Sequence, residues 1–159
     1  MNRLKSTASL VLAVLAALGL AGPAAAGERV PFQGRLEGDV TRTPAPPLVL
    51  VDIEATGTAT QLGQFAVTVP HFVNTTTRTA RGFYEFTAAN GDTLTAHFTG
   101  QARPTATPGV LYIEETATIT GGTGRFAGAT GSFVVERLYD RIEGTTIGSF
   151  AGTISTPSP

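Results

Sequence analysis

"TITGGTGRFAGATGSF", Thr118–Phe133, is the stretch on which the fold turns. Gly121, Gly122, Gly124 and Gly128 crowd together, and Gly131 follows. A dinucleotide-binding fingerprint needs Gly-x-Gly-x-x-Gly opening a long helix after a strand. Here Gly122-x-Gly124 is followed by Gly128, one residue too far, and the next apolar run begins too soon to leave room for a helix. A phosphate-binding P-loop needs Gly-Lys-Ser/Thr, and the only lysine of the chain is Lys5. A flexible linker would not interleave its glycines with Phe126 and Ala127, which suit burial. The remaining reading is a shaped corner between two strands. The glycines supply positive φ and close backbone approach. Thr123–Ala127 is expected to make one helical turn that points Phe126 inward as a plug.

Outward from this corner, a period of two dominates and helical periodicity is nearly absent, which reads as β-structure. Threonine, abundant throughout, favours strands through its β-branch. Eight strands are predicted: Arg29–Thr41, Leu48–Thr60, Gln64–His71, Arg81–Thr87, Thr93–Gln101, Val110–Thr120, Ser132–Ile142 and Thr146–Ser155. "TPAPP", Thr43–Pro47, is expected to break the chain, because proline has no donor for a sheet ladder. Asn90-Gly91 accepts the positive φ angles of a tight hairpin. "NTTT", Asn74–Thr77, and "RPTATPG", Arg103–Gly109, read as loops, and Asn74-Thr75-Thr76 matches a glycosylation acceptor. Eight consecutive strands with short links predict an all-β domain, an eight-stranded antiparallel up-and-down barrel with one short helical turn. Closure removes both exposed sheet edges, and eight strands leave a lumen that side chains fill or that holds one small ligand.

The chain opens with "MNRLK" and a short apolar run, Leu10–Gly22, ending in Ala24-Ala25-Ala26. That pattern reads as a signal peptide over residues 1–26, expected to be cleaved before Gly27. Pro23 closes the run short of the roughly 20 apolar residues of a membrane anchor. A single barrel domain is expected over 27–155, with a flexible tail over 156–159, in a secreted or periplasmic protein. There is no cysteine, so thiolate chemistry and cysteine-bound metals are excluded. After residue 26, nine arginines stand against twelve acids, and no basic block suggests nucleic acid.

"GGTGRFAGATG" resembles the glycine-rich strand connection of dirigent proteins and allene oxide cyclases. "EETATIT" (Glu114–Thr120) and "SFVVERL" (Ser132–Leu138) sit where that family has its flanking strands. "GTATQLGQF" (Gly57–Phe65) and "FTAANGDTLTAHFTG" (Phe86–Gly100) look like segments of uncharacterised secreted bacterial proteins with the same corner. The resemblance implies an eight-stranded barrel whose lumen opens at one end to an apolar small molecule. Cyclases of this family guide ring closure there, and dirigent proteins steer radical coupling without oxidising anything. No motif carries the family's catalytic residues onto this chain.

Alternation selects the candidate lumen residues. In Val110–Thr120, Glu115 shares a face with Leu111, Ile113, Ala117 and Ile119. A carboxylate there is either desolvated, with a raised pKa and acid–base potential, or paired with an arginine such as Arg137. His71 follows the inward parity of Phe65, Val67 and Val69. Tyr84 shares a face with Phe86, and Tyr139 with Phe133, Val135 and Arg137. Glu115, Tyr84, His71, Arg137 and Tyr139 are therefore the ligand-facing candidates, and Gly121, Gly122, Gly124, Phe126 and Gly128 form the structural corner. The two histidines, His71 and His97, lack acids at ligand spacing, so no metal and no cofactor are expected. Asp52 and Glu54 read as an outward, solvated pair. Three functions stay open: a carrier of a small apolar ligand, a cyclase- or dirigent-like activity in the same lumen, and a structural or surface-interaction barrel with a packed lumen. Outward apolar residues, Leu138 and Ile142 or else Tyr139 according to which face is exposed, make a homo-oligomer a further expectation.

Overall fold

Inward and outward side chains alternate from Arg29 to Ser155, and every strand of the fold follows from that parity. A computed structural model describes residues 27–157; the expected signal segment and the last two residues of the expected tail lie outside them. The strands are β1 (Arg29–Ala45), β2 (Leu48–Ala59), β3 (Gly63–Thr68), β4 (His71–Asn74), β5 (Thr79–Ala88), β6 (Thr93–Pro104), β7 (Val110–Gly122), β8 (Thr130–Asp140) and β9 (Thr145–Ser155). All pairings are antiparallel between neighbours, and β1 joins both β2 and β9, which closes the sheet.

The nine segments make eight staves. β3 and β4 both lie between β2 and β5, and their register is continuous: Thr68 faces Glu54 and Glu85, while His71 faces Val51 and Gly82. Pro70, which has no donor, interrupts the ladder between them. The backbone keeps its course there, because Val69 N–H donates to Ile53 (2.9 Å) and Phe83 N–H donates to Pro70 (3.1 Å). Inward parity runs through the gap, from Phe65, Val67 and Val69 to His71.

Two local expectations are corrected. β1 does not stop before "TPAPP" but runs to Ala45, opposite Leu48. Its pairing with β9 ends at Asp39, so the last stretch has β2 on one side only and leaves Pro44 no second ladder to interrupt. At Asn90-Gly91 only Gly91 has positive φ (88°). Gly91 N–H donates to Ala88 and Ala88 N–H to Asp92, a three-residue loop rather than a two-residue turn.

Inside, several of the large side chains face a glycine across the ladder. Phe65 lies opposite Gly57, Phe150 opposite Gly34, and Phe133 opposite Gly152. A barrel this narrow admits the rings only because their partners give up volume. Phe32, Phe65, Phe86, Phe133 and Phe150 interlock at centroid distances of 5.1–6.2 Å, mostly edge-on or tilted.

The glycine corner closes this aromatic end. A single 3₁₀ turn, Gly124–Phe126, buries Phe126 beneath it. Gly124 (φ 56°) has no room for a side chain, since a Cβ there would lie 1.9 Å from Asp92 Oδ1. Thr123 locks the turn to β6: its Oγ1 accepts from Thr93 N–H at 2.9 Å, and its own N–H donates to Thr93 at 2.9 Å. Arg125 N–H donates to Asp92 Oδ2 (3.3 Å), and the guanidinium donates to Leu62 (3.4 Å) and lies 4.9 Å over the Phe126 ring.

Candidate functional site

Past the aromatic layer the inward positions turn polar. His71 on β4, Tyr84 on β5, Glu115 on β7 and Arg137 on β8 are all buried. Arg137 grips Glu115 with two donors, Nη2 to Oε1 at 2.7 Å and Nε to Oε2 at 3.2 Å. The Tyr84 hydroxyl donates to the same Oε2. Arg137 Nη1 donates to Thr146 Oγ1 (3.3 Å), and the Thr146 hydroxyl donates in turn to the Leu138 carbonyl (2.8 Å). Among the described residues, no buried side-chain nitrogen or oxygen lacks a partner.

Glycine makes space for this cluster as it does for the rings. Glu115 lies opposite Gly100, Arg137 opposite Gly148, and His71 opposite Gly82. A Cβ on Gly100 would approach Glu115 Cγ to 2.7 Å, and one on Gly148 would approach Arg137 Cβ to 2.4 Å.

The electrostatics follow from burial and pairing. Burial pushes the Glu115 carboxyl upward, but the Arg137 guanidinium, the Tyr84 hydroxyl and nearby His71 outweigh it and hold the carboxyl below its ordinary value. The raised pKa considered from sequence is therefore replaced by its opposite: Glu115 is an anion that accepts two hydrogen bonds at Oε2 and one at Oε1. For Arg137, burial works against the charge, and the Glu115 carboxylate more than restores it. Tyr84 is pushed well above the ordinary phenol value, by burial first and then by the Glu115 charge. His71 is lowered, by burial first, with its hydrogen bond to Val69 opposing. Its Nδ1 lies 2.8 Å from the Val69 carbonyl, so Nδ1 carries the proton and Nε2 is the acceptor.

Above the cluster the barrel is open. A cavity of about 290 Å³ lies at the end opposite the glycine corner. Val40, Val51, Val73, Ala102, Leu111 and Ile113 wall it, and His71, Arg137 and Tyr139 bring polar atoms to it. Its volume sits at the lower edge of small-molecule pockets, roughly 300–1,000 Å³. Larger depressions occur on the outer surface, one of about 810 Å³ among Arg35, Glu37, Gln64 and Thr87, but these are shallow and strand-faced.

The five lumen candidates thus divide into two groups. His71, Arg137 and Tyr139 line the cavity; Glu115 and Tyr84 lie sealed beneath it at 0 % and 1 % exposure. His97, Asp52 and Glu54 are exposed, as their parity implies. Sequence reading missed Arg42, Arg78 and Arg141, which also line the cavity mouth. A usable signal existed. In a meander every second connection lies at the same end, and Arg42, Arg78, Arg103 and Arg141 stand at the four connections of this one.

No protein-family model and no curated protein matches the sequence. Among solved structures the chain is similar to the pterocarpan synthase dirigent protein GePTS1. The identity is 12 %, the TM-score 0.58, and the match covers 82 % of this chain and 92 % of that one. At that identity the likeness concerns the fold: this chain forms a dirigent-like, closed eight-stranded β-barrel.

Proposed function

We propose that the protein binds one small, largely apolar molecule in the open end of its barrel. One observation carries this reading. A barrel packed solid with rings over one half keeps a walled cavity of about 290 Å³ over the other, with His71, Arg137 and Tyr139 at its surface. Apolar walls with a few convergent polar groups are what a small-molecule site requires. The signal segment read in residues 1–26 supports a protein that meets this molecule outside the cytoplasm. Outward Leu138 faces Ile147 across the ladder, with Val134 nearby, which supports self-association through β8 and β9.

The dirigent-like fold favours a second reading, in which the cavity orients a reacting molecule. The neighbour's description as a synthase belongs to that protein and supports the reading by analogy only. Here Glu115 is sealed beneath the cavity, ionised and held by three hydrogen bonds, so it has no proton to give and does not reach a molecule in the cavity. Of the cavity's own polar groups, neutral His71 offers Nε2 as an acceptor, and Tyr139 carries a hydroxyl. Holding and orienting a molecule fits these residues better than acid–base chemistry through Glu115.

Calorimetric titration with 2-naphthamide, a neutral aromatic probe, tests the binding reading. Wild type is expected to bind one equivalent, and Ala102→Trp, which fills the cavity, is expected to lose binding while keeping its fold. Absence of binding to wild type, or binding that survives Ala102→Trp, overturns the reading.

A further inference from the structure

Charge is distributed unevenly over this barrel. Nine arginines and twelve acids follow residue 26, an acidic balance overall. Yet four of those nine arginines, Arg42, Arg78, Arg137 and Arg141, line the cavity of the open end, and none of the twelve acids does. Glu115 neutralises Arg137 from below. Arg42, Arg78 and Arg141 are exposed at the mouth and, among the described residues, have no carboxylate within ion-pair distance. The acids nearest in sequence do not compensate them. Asp140 Oδ1 accepts the N–H groups of Ile142 (2.8 Å) and Glu143 (3.1 Å) in the β8–β9 turn, and neither acid reaches the cavity lining.

The three arginines come from separate connections: Arg42 from the end of β1, Arg78 from the turn before β5, and Arg141 from the turn after β8. Closure of the barrel brings them around one opening. Like charges gathered at the rim of an apolar, low-dielectric well repel one another and focus a positive potential into it. A group of the opposite sign relieves that repulsion, and the guanidinium fork matches a carboxylate or similar oxyanion.

We propose that the ligand of the open end is an amphipathic anion, its apolar body against Val40, Val51, Val73 and Ile113 and its oxyanion at the collar of Arg42, Arg78 and Arg141. This inference rests on the binding reading above and adds the charge class of the ligand. The collar also gives the ligand a direction: body inward, charge outward. His71, neutral and buried, and Arg137, already paired, keep a second anion from being needed at the floor.

The test compares 2-naphthoate with 2-naphthamide, isosteric probes that differ in one negative charge, by calorimetry. For exposed pairs of this kind, each worth well under a decade alone, the collar as a whole is expected to favour naphthoate by about tenfold. The preference should shrink as salt is raised. In the triple variant Arg42→Gln/Arg78→Asn/Arg141→Gln, the ratio of naphthoate to naphthamide affinity should fall to about one. Asn is chosen at position 78 because Arg78 has φ 58°, a conformation Asn tolerates. If wild type binds naphthamide but naphthoate no more tightly, the anion assignment fails and the binding reading stands. If the preference survives in the triple variant, the collar is not its source and the assignment fails. If neither probe binds, the binding reading fails as well.

Discussion

The aromatic end of the barrel and its open end use the same pattern of large residues opposite glycine, but they spend the saved volume differently. Near the glycine corner, Phe150 opposite Gly34 and Phe133 opposite Gly152 fill the lumen with interlocked rings, and Phe126 caps them. Toward the mouth, Glu115 opposite Gly100 and Arg137 opposite Gly148 form a paired layer, beyond which valines, alanines and the collar side chains surround a cavity rather than fill it. Rings fill space without needing partners. An ion pair closes on itself and leaves the volume above it empty. The polar layer therefore acts as the floor of the cavity, with the aromatic layer as its foundation.

The largest expected effect comes from cutting that floor. Arg137→Met leaves the Glu115 carboxylate buried and unpaired, and should cost about 3–5 kcal/mol in denaturant unfolding. The double variant Arg137→Met/Glu115→Leu should recover most of this loss, since an apolar pair can replace a buried ion pair. A double variant as unstable as the single one would mean that the floor depends on these residues for more than charge balance. On the aromatic side, Phe86→Ala should cost a similar amount, about 3–5 kcal/mol, yet leave 2-naphthamide binding intact in the folded fraction. Equal loss of binding from both ends would erase the distinction between them.

Gly100→Ala sharpens the comparison at a smaller scale. Its new Cβ would meet Glu115 Cγ at 2.7 Å, and overpacking of this kind costs about 1–3 kcal/mol. Pairing Gly100→Ala with Glu115→Ala should be less damaging than the sum of the two changes; simple additivity would show that the glycine does not exist to seat the carboxylate.

Acid should weaken the open end first. His71 is lowered, so the unfolded chain takes up a proton below its ordinary value of 6.5 while the folded one resists. Stability is thus full above that pH and falls as pH drops below it. Glu115, also lowered, contributes stability above 4.5 that is lost as pH falls further. His71→Asn should remove the upper part of the decline, measured as Tm against pH, and leave the lower part. The smallest effect is expected at the collar, where Arg42→Gln at an exposed site should change stability by no more than about 0.5 kcal/mol.

The barrel was legible because strand parity is strict and because Gly124, Gly128 and Asn90-Gly91 punctuate it. Two features were not. The union of β3 and β4 across Pro70 is carried by register with β2 and β5, which are distant in sequence, and the extension of β1 through Pro44 depends on which neighbour runs out first. At the site, alternation placed Glu115, Arg137, His71, Tyr84 and Tyr139 on inward faces. It did not place them in depth along the lumen, which is why sealed Glu115 and cavity-facing His71 looked alike. Nor did it decide between a desolvated acid and an ion pair, since Glu115 and Arg137 meet only through the β7–β8 register. The collar arginines carry no local pattern at all; only the alternation of connections between the two ends unites them.

The most direct measurement is an amide chemical-shift titration of the protein with 2-naphthamide. Shifts should concentrate at Val73, Ala80, Ala102 and Ile113, around the cavity, and leave Leu62, Asp92 and Phe126 at the glycine corner unmoved. Shifts gathered at the corner or scattered over the outer strand faces, or none at all, would contradict a binding site at the open end.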